Sequence, residues 1–303
     1  MLPKKLSDFI STTDPTTGVR YYKDKNTLDK QYASVTTIIS KFEDKSFLKQ
    51  WRKQVGEEEA NKVMVQSSSL GTRVHKANEL FFTDRERYQE YVSSIETEVY
   101  TRHLCYLPIL EQVTILGHNN TPLLEQKLIC EVKVDNEMYG FGGTPDLVSV
   151  ITRERAKQLF FKNHYLKSLV DEDYFPEDQK NITFVADYKN WRGKAKSSAD
   201  LLKTCLQLSA YMILVNQFVE EPFKIRNGFI FGSNCENKLL IYHLNFSKMC
   251  WYAHWFLNFT KAFYTKESLN WHSFKSLSLD GEVSYKPVRL YIKNGNNAQG
   301  DSQ

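Results

Sequence analysis

The sequence predicts an α/β fold: a central mixed β-sheet flanked by helices, with a helical extension on its N-terminal side. Three observations carry this. Short runs rich in Val, Ile, Phe and Tyr, bounded by turn residues, recur between residues 122 and 246 and read as strands. From Ala199 to Glu220 the residues Leu201, Cys205, Leu208, Met212, Val215 and Val219 recur at helical spacing. Before residue 120 the pattern is mostly helical, with Leu48, Trp51 and Val55 on one stripe.

In chain order, residues 1 to about 33 mix turn signals, Asp14-Pro15 and Thr17-Gly18, with the pair Tyr21-Tyr22, and read as an arm or hairpin laid on the body. SVTTIISKF, residues 34–42, is expected to form a short helix capped by Ser34. Residues 47–82 are expected to be helical, with a restart capped by one of Ser67, Ser68 and Ser69. One more helix runs to about Leu104. PLLEQKLICEVKV, residues 122–134, alternates and reads as a strand. DNEMYG is a turn, and GFGGTPDLVSV, residues 140–150, is the next strand, entered through glycines. Residues 151–181 form a polar insertion. ITFVADYKN is a strand, WRGKAKSS a basic loop, and residues 199–220 an amphipathic helix. FKIRNGFIFGS and KLLIYHLNF are strands joined by the turn SNCEN, and a second long helix follows from Ser247.

At 303 residues the chain suffices for one large domain or two smaller ones. We expect residues 1–120 as an arm and helical region packed on the core, 121–292 as the core, and 293–303 as a disordered tail without large apolar side chains. A net charge of +4 is too mild to imply nucleic acid by itself. Cys105, Cys130, Cys205, Cys235 and Cys250 are widely spaced and odd in number, which reads as reduced thiols in a reducing, intracellular compartment. No apolar run approaches the roughly 20 residues a bilayer needs. The first residues lack the pattern of a targeting segment, and Asp8 and Asp14 argue against a transit peptide.

The chemistry concentrates between Gly140 and Tyr211. Asp146 closes a Gly-rich turn. Asp187 and Lys189 are two apart on a strand, so they leave one face. Gln207 and Tyr211 are four apart on a helix and share a face. If the strands at 122–134 and 140–150 form a hairpin, Glu131 falls roughly opposite Asp146, with Glu125 a second choice. Phosphodiester cleavage needs an activated water and charge relief on the phosphate, which Mg²⁺ or Mn²⁺ held by one or two carboxylates supplies. Lys189 would sit beside the water or the scissile phosphate. Arg192, Lys194 and Lys196 would grip phosphates, or simply solubilise an exposed loop. Trp191 and Tyr188 are candidates for stacking on bases or for core packing. Ser67 to Arg73 would offer phosphate contacts from a helix start.

Each piece has a plain alternative. Asp187 and Lys189 alone read as a strand-end ion pair, His75 as a solvated or core-edge histidine, and Gln207 with Tyr211 as a buried pair tying helix to sheet. Their order carries more. GTRVHKANE, ICEVKV, GFGGTPDLV, VADYKN and QLSAY, in that sequence, resemble the PD-(D/E)xK nuclease superfamily and its RecB-like exonuclease branch. With SVTTII and a Trp-containing helix upstream, the chain is also similar to the mitochondrial genome maintenance exonuclease family and its phage relatives, over about residues 34–215. The resemblance implies a restriction-endonuclease-like core with a divalent metal at the sheet edge. It implies His75, Asp146 and Asp187 as metal ligands, Lys189 as the catalytic lysine, and Gln207 and Tyr211 as support and DNA contacts. Glu131 matches the acid of the preceding strand and is expected in the catalytic set, holding a second metal or a metal-bound water. The cysteines do not supply the spacing of the iron–sulfur cluster found in some relatives.

The expected function is therefore a metal-dependent DNA exonuclease acting on single-stranded or free ends, in DNA replication, repair or recombination. A structure-selective endonuclease and a non-catalytic DNA-binding subunit are the alternatives. Nothing in the sequence separates DNA from RNA by its 2′-hydroxyl, and no partner protein is legible.

Overall fold

The computed structural model describes residues 9–25, 30–118, 121–124, 126–135, 137–161, 167–169, 179–191, 193 and 198–269. The class is mixed α/β, but the strands divide into two mixed sheets rather than one. Strands β1 (Phe9–Thr13), β2 (Arg20–Asp24) and β3 (Gln31–Ser34) open the chain. They join β7 (Leu128–Val134) and β8 (Glu137–Gly143) in a five-stranded sheet ordered β1-β2-β3-β8-β7. In it, β3 and β8 are parallel and the other pairs antiparallel.

The six-stranded sheet contains β4 (Thr114–Ile115), β9 (Leu147–Thr152), β10 (Lys167–Leu169), β11 (Asn181–Asn190), β12 (Asn227–Ser233) and β13 (Leu239–Leu244). Its order is β10-β13-β12-β11-β9-β4, with β11 parallel to β12 and antiparallel to β9. Two short strands, β5 (Gly117–His118) and β6 (Thr121–Pro122), pair with each other.

The expected strand at 140–150 is in fact two strands in different sheets. Gly140 to Gly143 end β8, and Thr144 to Asp146 carry the chain across to β9. The glycines are there for close approach. A Cβ on Gly142 would fall 2.5 Å from Tyr22 Cγ, and one on Gly143 2.6 Å from Tyr211 Cε1.

Helix α1 (Val35–Phe42) begins as expected, with Ser34 Oγ accepting the Thr37 N–H at 3.0 Å. Helix α2 (Ser46–Val55) is followed at Gly56, φ +86°, by α3 (Glu57–Thr83). The expected restart near Ser67 does not occur: α3 runs unbroken for 27 residues. Serine only mildly disfavours a helix interior, and no proline interrupts the stretch. Ser67 to Arg73 therefore offer no helix N-terminus, and Arg73 pairs with Glu96. Where one helix was expected to Leu104, α4 (Arg85–Ser94), α5 (Thr97–Leu104) and a single turn, α6 (Leu107–Leu110), follow. Part of the polar insertion is α7 (Arg153–Phe161).

Helices α8 (Ser198–Val215) and α9 (Phe246–Thr265) pack against strands of both sheets. That explains why α8 is not amphipathic as expected. Between Leu201 and Val215 only Lys203 and Gln207 are less than buried, as a helix covered on all sides must be. One core lies around α8 and α9; a second packs α3, α5, α6 and α7 on the far face of the six-stranded sheet. All five cysteines carry free thiols. Among the described residues, no helix is long and apolar enough to cross a membrane. The 293–303 segment lies outside the described residues.

Candidate active site

The candidate site forms where β9 leaves β11. Their ladder runs from Asn181 opposite Thr152 to Ala186 opposite Leu147. Beyond it, β11 continues through Asp187, Tyr188 and Lys189, paired among the described residues with β12 alone. The freed edge is taken up by side chains. Asp146 Oδ2 accepts the Tyr188 N–H at 3.0 Å. His75, reaching in from α3, places Nε2 3.0 Å from the Tyr188 carbonyl oxygen and Nδ1 3.5 Å from Asp146 Oδ2. Residues 75 and 146 thus meet on the backbone of one residue, Asp146 at the Tyr188 N–H and His75 at its carbonyl.

Side chains alternate along β11. Tyr188 turns toward the α3 side, edge-on to His75 and Tyr106. It is 2% exposed, so it is core and not a stacking platform. Trp191 is half-buried and packs edge-on to Tyr242 over Gly232. Asp187 and Lys189 turn the other way, toward α8, and form an ion pair through Asp187 Oδ2. The Asp187 residue is 1% exposed, whereas the Lys189 side chain keeps 32% of its surface open.

The other oxygen, Asp187 Oδ1, accepts Gln207 Nε2 at 3.1 Å, and the same amide nitrogen lies 3.0 Å from the Tyr211 hydroxyl. Tyr211 is 3% exposed. It holds the site from behind and makes no surface for DNA, contrary to the contact role expected of it. Arg192, Lys194 and Lys196 lie outside the described residues, as does Glu125.

The expectation for Glu131 is corrected. The hairpin turns tightly at Asp135, φ 47°, and its register sets Glu131 opposite Gly140, six residues short of Asp146. Its carboxylate accepts the Tyr32 hydroxyl at 2.7 Å and pairs with Lys30 at 3.1 Å.

Electrostatics follow from two carboxylates facing one ammonium in a buried place. Burial pushes the Asp187 carboxyl above its ordinary value; Lys189 pulls it back and the Asp146 charge pushes it further. Burial works against the Lys189 ammonium, but Asp187 and Asp146 outweigh it and hold its pKa above the usual lysine value. Burial, then the charges of Asp146 and Asp187, hold the Tyr211 phenol well above its usual range.

Among the described residues, no three His, Cys, Asp or Glu side chains already converge on a point in metal-holding geometry. His75 and Asp146 instead lie 3.5 Å apart and each bonds the Tyr188 backbone. The donor chemistry nonetheless suits a hard dication: two carboxylates, an imidazole and a peptide carbonyl. Asp187 Oδ2 is buried and faces the Lys189 ammonium, its ion-pair partner.

Several supporting residues gave no sequence signal. Tyr106 donates its hydroxyl to the Lys189 carbonyl at 2.8 Å and receives the Ser233 N–H at 3.2 Å, clamping the end of β11. The Tyr22 hydroxyl lies 3.0 Å from Thr144 Oγ1, bracing the segment that ends in Asp146. Both partners are distant in sequence, so only the fold brings them together. A cleft of about 530 Å³ opens beside the cluster, lined by Ser67, Gly71, Thr72, His75, Lys76 and Glu79 of α3 and by Tyr188, Lys189 and Asn190 of β11.

No family model matches the chain, and no curated protein matches it. Among solved structures, the crystal structure of SSO0001 is similar at 12% identity over 76% of each chain, with a TM-score of 0.32. A likeness of that size does not establish a shared fold.

Proposed function

We propose that this chain is a divalent-metal-dependent DNA exonuclease of the PD-(D/E)xK superfamily, RecB-like branch, with a restriction-endonuclease-like core that hydrolyses phosphodiester bonds at single-stranded ends. One observation carries this reading: His75, Asp146, Asp187 and Lys189, from three separate elements, gather at the β9–β11 parting beside an open cleft.

Asp146 and Asp187, with His75, would hold Mg²⁺ or Mn²⁺. The ion would supply charge against the scissile phosphate and acidify a bound water. The protein's own part is positional. Gln207 takes Asp187 Oδ1, and Oδ2, which faces Lys189, is the oxygen that would turn to the ion. Lys189 stands beside that oxygen, and its ammonium would orient the attacking water and offset charge building on the phosphate. Tyr106 and the Asp146 carboxylate fix the backbone on either side of Lys189, so the ammonium needs little reorganisation.

The test compares linear and covalently closed circular single strands, with Mg²⁺ or Mn²⁺ and with EDTA. An exonuclease shortens the linear strand only, and only without chelator. Nicking of the circle would point instead to an endonuclease on the same site.

A further inference from the structure

We infer that the cleft along α3 receives one strand of nucleic acid, its sugar–phosphate backbone lying against Gly71 on the way to Lys189. The inference rests on the nuclease reading and adds the path of the substrate to it. Gly71 is the motivating observation. It sits in the interior of a 27-residue helix, where glycine is disfavoured. Its backbone is regular helix, so no unusual φ requires it. Among the described residues a Cβ there would meet nothing within 4 Å, so none of them requires it either. What the missing side chain keeps open is the cleft, which Gly71 lines. Close approach of a ligand backbone is the remaining physical reason for a glycine.

The surroundings specify the ligand. Ser67, Gly71 and His75 follow at four-residue spacing, so they form one row along the helix. From Ser67 to Glu79 this wall is about 18 Å long, at 1.5 Å per residue. Ser67 and Thr72 offer hydroxyl donors. Lys76 offers an ammonium that Glu79 holds in place at 3.0 Å. These are the groups that contact phosphate and sugar without reading bases. The opposite wall is the end of β11, with Lys189 itself. A volume of about 530 Å³ is that of a pocket for one small ligand. That is room for a few nucleotides of one strand.

The experiment is fluorescence anisotropy of a labelled oligothymidylate in EDTA, so that binding is read without turnover. Gly71→Leu replaces the glycine with a good helix former, and its melting temperature should not fall below wild type. Its Kd should rise about tenfold or more. Ser69→Leu, exposed on the far side of α3, should bind like wild type, and unlabelled blunt duplex should compete poorly. If folded Gly71→Leu binds and digests like wild type while wild type digests DNA, the path is wrong and the nuclease reading stands. If wild type neither binds nor digests, both fall.

Discussion

Asp146 Oδ2 accepts the backbone N–H of Tyr188 at 3.0 Å, two residues past Ala186, where the pairing of β11 with β9 ends. An acid from the β8–β9 link thus replaces a missing rung of the ladder while its charge faces Asp187 and Lys189. The two roles separate by substitution. Asp146→Asn keeps the acceptor and loses the charge. It should melt close to wild type, yet digest DNA at least about a hundredfold more slowly. Asp146→Ala should also destabilise by about 1–3 kcal/mol, because the Tyr188 N–H loses its partner. Thermal melts beside digestion rates check both.

Gln207 should act on metal affinity and not on the chemical step. It donates to the buried Asp187 carboxylate and touches nothing that reacts. Gln207→Leu is expected to cost about 1.5–3 kcal/mol for a hydrogen bond to a charged group. It should also raise the Mg²⁺ needed for half-maximal activity by about 10–100-fold, with the rate at saturating metal largely restored. A metal titration reads this directly; an unshifted midpoint would remove Gln207 from the site.

The N-terminal sheet should be needed for activity through one contact. Tyr22 covers Gly142 and meets the Thr144 hydroxyl. Gly142→Ala forces the ring aside and should cost about 1–3 kcal/mol by overpacking. Tyr22→Phe keeps the packing and loses only the hydroxyl. It should lower digestion with a melting temperature near wild type. Equal activity of Tyr22→Phe would mean that Thr144 and Asp146 hold their places without it.

How much of this was legible beforehand depends on range. Ser34 as a cap, the Asp187–Lys189 pairing and the Gln207–Tyr211 face follow from spacings of two to four residues, and the fold keeps them. Glu131 was misplaced because hairpin register depends on where the turn closes, at Asp135, and alternation alone leaves that open. The run from Gly140 to Val150 hides a change of sheet at Thr144 to Asp146, since both halves are strand-like. Tyr22, Tyr106 and the cleft along α3 are set by pairings across more than 80 residues, which no local pattern carries.

Stability should fall in mild acid through two buried histidines. His103 lies between Asn78 Oδ1, at 2.7 Å, and the Tyr88 hydroxyl, at 2.8 Å. With the amide oxygen as acceptor, His103 is the neutral Nδ1–H tautomer. Burial lowers its pKa from 6.5 to about 4. Burial, with Lys248 adding, lowers that of His243 to about 3. Both are depressed, so the folded state favours the neutral ring. Their contribution is complete above the unfolded pKa of about 6.5 and is lost as pH falls toward the folded values. The contribution is at most on the order of 3 kcal/mol for His103 and on the order of 5 kcal/mol for His243. Urea midpoints should drop between about pH 7 and pH 5, and His103→Gln should flatten that slope.

The most direct measurement is digestion of end-labelled single-stranded DNA with Mg²⁺ or Mn²⁺ by wild type and by Lys189→Ala, each checked for folding. Wild type should release label and stop on addition of EDTA, while Lys189→Ala should be slower by at least about a hundredfold. Equal rates for the two proteins, or digestion that persists in EDTA, would contradict the assignment of the Asp146, Asp187 and Lys189 cluster as a metal-dependent nuclease centre.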